Sequence, residues 1–223
     1  MATHGGPGII RDGLVLYLDA ANPKSYPGNG VVWKDLSDSK HDAELVNGPL
    51  FSVENNGVFE FSGAGKKAQT ALATKFQDFT VCVVFKDSNS SSWSRVVDKN
   101  YTDGFFISSQ FQSYGKNYIG CGILEPNIPH GIALPYEPGK YNFFASTRKG
   151  VNHTIYLNGI NEKASKTVSN SLLSNIPISL GAWSTNSSQP FKGNLSYVKI
   201  YNRALSEDEV LQNYNATKTR FSI

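Results

Sequence analysis

The chain has 223 residues, 39% hydrophobic and 12% aromatic, with 20 Gly, 10 Pro and 11 Tyr but one Met, a composition that suits strands and turns around one sizeable core rather than a helical bundle. Its formal charge of +3 arises from 21 basic and 18 acidic residues scattered along the sequence, without the basic stripe that nucleic-acid binding requires. No apolar run reaches the roughly 18 residues of a membrane-spanning helix, and the opening Met-Ala-Thr-His-Gly-Gly-Pro-Gly lacks the regions of a signal peptide, so export by a cleaved signal is not expected; the free-thiol reading of the two cysteines below points to folding in a reducing cytoplasm.

Residues 1–12 are rich in Gly and Pro and read as an N-terminal arm. A strand follows at 13–20, with Leu14, Leu16 and Leu18 on one face and Val15 and Tyr17 on the other. After a turn-rich stretch at 22–30 comes Trp33, a core anchor, and further strands are predicted at 43–46, 58–61, 79–86, 95–98, 105–108 and 118–123. Residues 141–148 and 153–157 form a hairpin around Lys149-Gly150, and Asn158-Gly159 signals another tight turn. Strands at 176–181 and 191–202 close the series. In the last, Leu195, Tyr197, Lys199 and Tyr201 alternate with Ser196, Val198, Ile200 and Asn202, so apolar groups stand on both faces.

One short helix is expected after it. Ser206 is the N-cap, Glu209 completes a capping box, and Leu205 and Val210 form a hydrophobic staple. Glu207, Asp208 and Glu209 sit where the positive end of the helix dipole favours acids, so this triplet reads as a cap rather than a catalytic cluster. The pattern predicts an all-β, two-sheet antiparallel jelly-roll sandwich at 13–216, with that helix as a clip and 217–223 as a tail. Cys82 and Cys121 are not in metal-binding spacing. Cys82 lies in an apolar strand and reads as a buried free thiol, with a disulfide to Cys121 as the alternative.

The segments Phe79-Thr-Val-Cys-Val-Val-Phe-Lys, Tyr141-Asn-Phe-Phe-Ala-Ser-Thr-Arg, Ile155-Tyr-Leu-Asn-Gly, Ile178-Ser-Leu-Gly and Phe191-Lys-Gly-Asn-Leu-Ser-Tyr-Val-Lys-Ile-Tyr-Asn-Arg-Ala-Leu-Ser resemble successive strands of laminin-G-like, concanavalin A-like domains. The opening Gly13-Leu-Val-Leu-Tyr-Leu-Asp-Ala-Ala-Asn-Pro-Lys-Ser-Tyr, with Trp33-Lys-Asp-Leu-Ser and Phe59-Glu-Phe-Ser-Gly, resembles in particular the version found in virion proteins of tailed bacteriophages, including cyanophages. This resemblance implies the jelly roll, and it leaves lectin, adhesion, glucanase and structural roles open. Where many relatives carry Asp, this chain has Ser62 and Ser196, which removes two carboxylates of a family-style calcium site.

The glucanase arrangement of catalytic carboxylates, Glu-x-Asp-x-x-Glu on one strand, is absent, and Glu60 stands alone. No catalytic residue is therefore assigned, and the chain reads as a non-enzyme. His4, His41, His130 and His153 have no ligand spacing and read as surface or loop residues. Asp98, Asn100 and Asp103 form a candidate Ca2+ site ahead of a turn glycine, with Asp35, Asp38 and Asp42 as a second; simple turn chemistry is the competing reading. Sugar recognition needs an aromatic face beside polar groups. Trp93 and Trp183 lie in Ser/Asn-rich loops, and with Tyr101 and Asn186 they are the candidate glycan-binding residues; Tyr114 and Tyr136 share the loop context.

Function is expected to be that of a structural or adhesion module of a phage virion, made in the host cytoplasm. It would attach to other virion proteins through Ile9, Ile10, Arg220 and Phe221, bind host-surface polysaccharide, and associate with further copies of itself. A carbohydrate-binding lectin or receptor-binding protein is the alternative, and a glycoside hydrolase the third reading.

Overall fold

The computed structural model describes residues 8–63, 65–88, 93–123, 131–169 and 171–223. His4, His130, most of the 1–12 arm and the Asn89–Ser92 stretch before Trp93 lie outside them. The strands are β1 Leu14–Asp19, β2 Val32–Trp33, β3 Ala43–Val46, β4 Leu50–Ser52, β5 Val58–Ser62, β6 Lys67–Thr70, β7 Phe79–Asp87 and β8 Ser94–Asp98, then β9 Phe105–Ser109, β10 Tyr118–Ile123, β11 Ile132–Pro135, β12 Tyr141–Lys149, β13 Asn152–Leu157, β14 Glu162–Thr167, β15 Ser179–Leu180 and β16 Lys192–Tyr201. Two helices end the chain, α1 Glu207–Asn215 and α2 Lys218–Phe221, where the sequence predicts one.

Two antiparallel sheets stack face to face. The first runs β14-β13-β12-β7-β16-β5-β4, with β1 also on β16; the second runs β11-β10-β9-β8-β15-β6-β3-β2. The all-β sandwich is therefore as expected. Leu16, Leu18, Val81, Val83, Phe85, Val198 and Ile200 of the first sheet meet Trp33, Val97, Phe105, Ile107, Ile119 and Leu180 of the second. Trp33 is fully buried 4.7 Å from the Phe59 ring, and Phe79 stacks on Phe105 at 4.4 Å. Cys82 and Cys121 are both buried free thiols, each pushed up to about 12 by burial.

Strict alternation fails at two places. The pairing of β16 with β7 shifts register between Leu195 and Tyr197, and that of β1 with β16 shifts between Leu14 and Leu16. A residue inserted into a ladder flips the faces beyond it. Leu195 thus joins the inter-sheet core while Tyr197 and Tyr201 face outward, and Leu14 packs outside while Leu16 and Leu18 pack inside. Strands β2, β4, β6, β11 and β14 are not foreseen in the sequence. β14, Glu-Lys-Ala-Ser-Lys-Thr, is a mostly exposed strand ending its sheet, with none of the apolar alternation that announces a strand; charged residues there also discourage pairing with another chain. His153 likewise departs from expectation, because it is fully buried and its Nε2 lies 2.9 Å from Ser146 Oγ.

The outer face of the first sheet is closed by the chain's own ends. Ser206 Oγ accepts the Glu209 amide, and the Glu209 carboxylate accepts the Ser206 amide, completing the predicted capping box. Leu205, Val210 and Phe221 then cover Val58, Cys82, Val84, Phe143, Tyr197 and Tyr201. Arg220 donates to Asp19 Oδ1 at 2.9 Å and to the Asn55 and Gly57 carbonyls at 2.7 Å each. Phe221 is 6% exposed, with its ring 5.1 Å from Tyr141. Ile10 accepts from Tyr201 Oη and donates to Asn213 Oδ1, and Ile9 is half-buried. The polar groups of Ile10 and Arg220 and the apolar area of Phe221, named in the sequence as attachment residues, are thus engaged inside the domain.

Candidate functional site

The second sheet carries its outer aromatic layer differently. Along β9, Phe105 and Ile107 point into the core, so Phe106 between them points out, where it clusters with Phe111, Ala133, Trp93, Tyr101 and Tyr118. Glycines on the neighbouring strand β10 make room for these rings. A Cβ on Gly122 would lie 2.1 Å from Phe106 Cζ, and one on Gly120 would lie 2.8 Å from Phe111 Cδ2.

Over this layer lies a cavity of about 320 Å3, lined by Trp93, Arg95, Tyr101, Trp183 and Gln189. Three loops converge to build it. Trp93 enters β8 with φ 40°, a left-handed backbone rarely taken by a bulky residue, and its amide donates to the Gln110 carbonyl. Tyr101 comes from the β8–β9 turn, its ring 5.8 Å from Phe106 and 5.6 Å from Trp183. Trp183 and Gln189 come from the loop after β15, which is closed by hydrogen bonds between Trp183 and Ser188 and between Ser187 and Trp183. Asn100, Gln110, Ser187 and Gln189 also have positive φ. Backbone strain of this kind gathers at binding and catalytic sites.

Arg95 is the feature that the sequence reading missed. It is 1% exposed, and its guanidinium carbon stands 3.5 Å from the centre of the Phe106 ring and between 5.5 and 5.9 Å from those of Trp93, Tyr101 and Trp183. Its Nε donates to Gln189 Oε1 at 2.7 Å and lies 3.7 Å from Asp98 Oδ2. Burial holds its pKa down to about 10, against the opposing pull of Asp98. Arg95 Nη1 and Trp183 Nε1 are buried without hydrogen-bond partners. An arginine in a β-strand reads as a solvated residue, and only the three converging loops reveal its position.

Of the candidate glycan residues, Trp93, Tyr101 and Trp183 come together at this cavity, each half-buried. Asn186 does not line it: it is exposed, and its Oδ1 accepts the Ser188 amide to shape the loop that carries Trp183. Tyr114 lies on the same aromatic layer, with its ring 5.9 Å from Phe111, whereas Tyr136 is interior and hydrogen-bonded to Asp87.

The candidate calcium residues are arranged for turn work. Asp98 is fully buried, and its Oδ1 accepts the amides of Asn100 and Ser184 at 3.0 Å each. Asn100 Nδ2 donates to Asp103 Oδ1 and Thr102 Oγ1. In the other loop, the Asp35 carboxylate accepts the amides of Tyr17, Ser37 and His41. Among the described residues, no three His, Cys, Asp or Glu side chains are grouped to hold a metal ion.

A larger groove of about 710 Å3 runs beside the C-terminal tail. Several of its polar groups pair within the protein, as Lys86 does with Glu54 and Asn158 Nδ2 with Asn142 Oδ1. The smaller cavity is the better candidate because it joins exposed aromatic surface to buried donors that still lack acceptors.

A family model described as the concanavalin A-like lectin/glucanases superfamily matches residues 61–211. No curated protein sequence matches the chain. Among solved structures, the botulinum neurotoxin serotype D binding domain superposes with TM-score 0.71 at 15% identity, covering 92% of this chain and 52% of its own. The binding domain of Paraclostridial Mosquitocidal Protein 1 gives 0.70 at 18% identity, with 92% and 52% coverage. Trypanosoma rangeli sialidase gives 0.64 at 16% identity, covering 93% of this chain and 33% of its own. The chain thus spans about half the length of the toxin binding domains and a third of the sialidase. At these identities the likeness is one of fold.

Proposed function

The chain belongs to the concanavalin A-like lectin/glucanases superfamily, and from that premise we propose that it is a non-enzymatic carbohydrate-binding or receptor-binding domain whose ligand enters the cavity between Trp93, Tyr101 and Trp183. The observation that carries this reading is the convergence of three half-buried aromatic side chains over buried polar groups. Such walls take the C–H face of a sugar ring, while the donors take its oxygens. Support also comes from the structural neighbours, several of which are binding domains, one of them solved in complex with SialylT.

The test is a broad bacterial glycan array probed with the whole chain and with Trp93→Ala and Trp183→Ala, in calcium and in chelator. Specific binding that either substitution abolishes, with little loss of thermal stability, is expected. Retained binding in both variants would remove the cavity from the reading. Loss of wild-type binding in chelator would make Asp98, Asn100 and Asp103 ligands after all.

On the resemblance of its opening residues to virion domains of tailed bacteriophages, we propose further that the domain is displayed on a phage particle, attached to other virion proteins, where the cavity would meet host-surface polysaccharide. Antibody labelling of purified virions checks this; unlabelled particles would sink it.

A further inference from the structure

Resting on the carbohydrate-binding reading above, we propose that the unit held in the cavity is a 2-acetamido sugar, an N-acetylhexosamine, whose acetamido carbonyl accepts from Arg95 and Trp183. Volume sets the scale first. About 320 Å3 lies at the low end of small-ligand pockets, roughly 300–1,000 Å3, and so admits one sugar unit with its substituent rather than a stretch of chain.

The polar inventory then narrows the substituent. Two buried donors, Arg95 Nη1 and Trp183 Nε1, lack acceptors, and Asp98 Oδ2 beside Arg95 lacks a donor; a buried unpaired polar group is unfavourable until a ligand supplies its partner, and an amide brings both a carbonyl and an N–H. Charge decides which acceptor fits. The guanidinium is not an open anion site, because Asp98, fully buried, places Oδ2 at 3.7 Å from Arg95 Nε, and two backbone amides hold the carboxylate there through Oδ1. A carboxylate sugar would bring a second negative charge beside Asp98. Lys99, also buried, offers no compensation at the cavity, since its Nζ donates to the Ile176 carbonyl and stands over Phe76. The acceptor required is strong and neutral. An amide carbonyl has two lone pairs for two donors, and the methyl attached to it is an apolar group for the Trp93, Tyr101 and Trp183 rings. A sugar hydroxyl can also accept, but it brings no apolar group with it. Asp98 acts here as a positioning residue that neutralises Arg95.

The deciding comparison is between ligands on the unmodified chain, with two variants as secondary arms. Calorimetric titration with N-acetylglucosamine and N-acetylgalactosamine is set against glucose, galactose, glucosamine and glucuronic acid. At least tenfold tighter binding of an N-acetyl sugar than of its parent hexose and its amine is expected, and Trp183→Ala should remove it. Equal binding of parent and N-acetyl sugars, or a preference for glucuronic acid, would overturn this inference while leaving carbohydrate binding at the cavity intact. No binding of any sugar here or on the array would overturn both. Asp98→Asn, which keeps the Oδ1 acceptor but removes the charge, should shift preference toward glucuronic acid. An unchanged preference in a folded variant would refute the neutralising role.

Discussion

Gly122→Ala tests how the aromatic layer is built, from a position that does not line the cavity. Gly122 lies on β10 with an ordinary strand backbone, so alanine suits its local conformation and any effect must come from contact. The new Cβ would stand 2.1 Å from Phe106 Cζ and 2.3 Å from Cε1, whereas carbon atoms are content at about 3.5–4.0 Å. The ring must therefore retreat by about 1.5 Å. Phe106 is fully buried, its ring nearly parallel to that of Phe111 and with the Arg95 guanidinium carbon 3.5 Å from its centre, so a shift of this size must disturb its packed neighbours. Overpacking of this kind costs about 1–3 kcal/mol. Moving the shelf on which Arg95 rests should also weaken sugar binding by at least about tenfold, equivalent to about 1.4 kcal/mol. Chemical denaturation and calorimetric titration read the two effects. A double variant with Phe106→Ala supplies the control, since removing the ring removes the clash and the two substitutions should couple strongly. Wild-type stability and affinity in Gly122→Ala would refute this account of the layer.

Three further outcomes are expected. His153, buried between the sheets, has its pKa pulled down from 6.5 to about 3 by burial, with Arg148 and Lys166 adding to the effect; the unfolded chain therefore takes up a proton that the native state refuses, and stability should fall as pH drops from about 6.5 toward 3, at up to about 1.4 kcal/mol per pH unit. His153→Gln should flatten that part of a urea-midpoint profile, and an unchanged slope would count against it. Arg220→Ala leaves the half-buried Asp19 carboxylate and the Asn55 and Gly57 carbonyls without their donor, which should cost about 3 kcal/mol in denaturant unfolding; a loss under about 0.5 kcal/mol would show that the tail is dispensable. Lys199 is fully buried on the outer side of the first sheet with its Nζ lacking a hydrogen-bond partner, and burial holds its pKa down to about 8. Its native pKa lies below the unfolded value, so its penalty is full below pH 8 and is relieved as pH rises toward 10.5; Lys199→Met should raise stability at pH 7 by about 1–3 kcal/mol, and a lower melting temperature would contradict this.

The sequence by itself determined the class of fold, the run of central strands, the helix cap and three of the aromatic side chains at the site, because each is signalled over short range. Alternating apolar residues mark 79–86 and 141–148 as strands, Ser206 and Glu209 cap a helix three residues apart, and Trp93 and Trp183 stand out in polar loops. Tertiary structure decided what depends on contacts distant in sequence. The register shifts at Leu14 and Leu195 sent those residues to the opposite face from the one that alternation implied. Arg220 and Phe221 read only as part of a tail at 217–223, and it took the fold to give them Asp19, Asn55, Gly57 and Tyr141 as partners. Arg95 acquired its meaning only when residues 93, 101 and 183 closed around it on one side and Asp98 took up its charge. Periodicity reports which side of a strand is apolar, but it carries no information on which loops will meet above it.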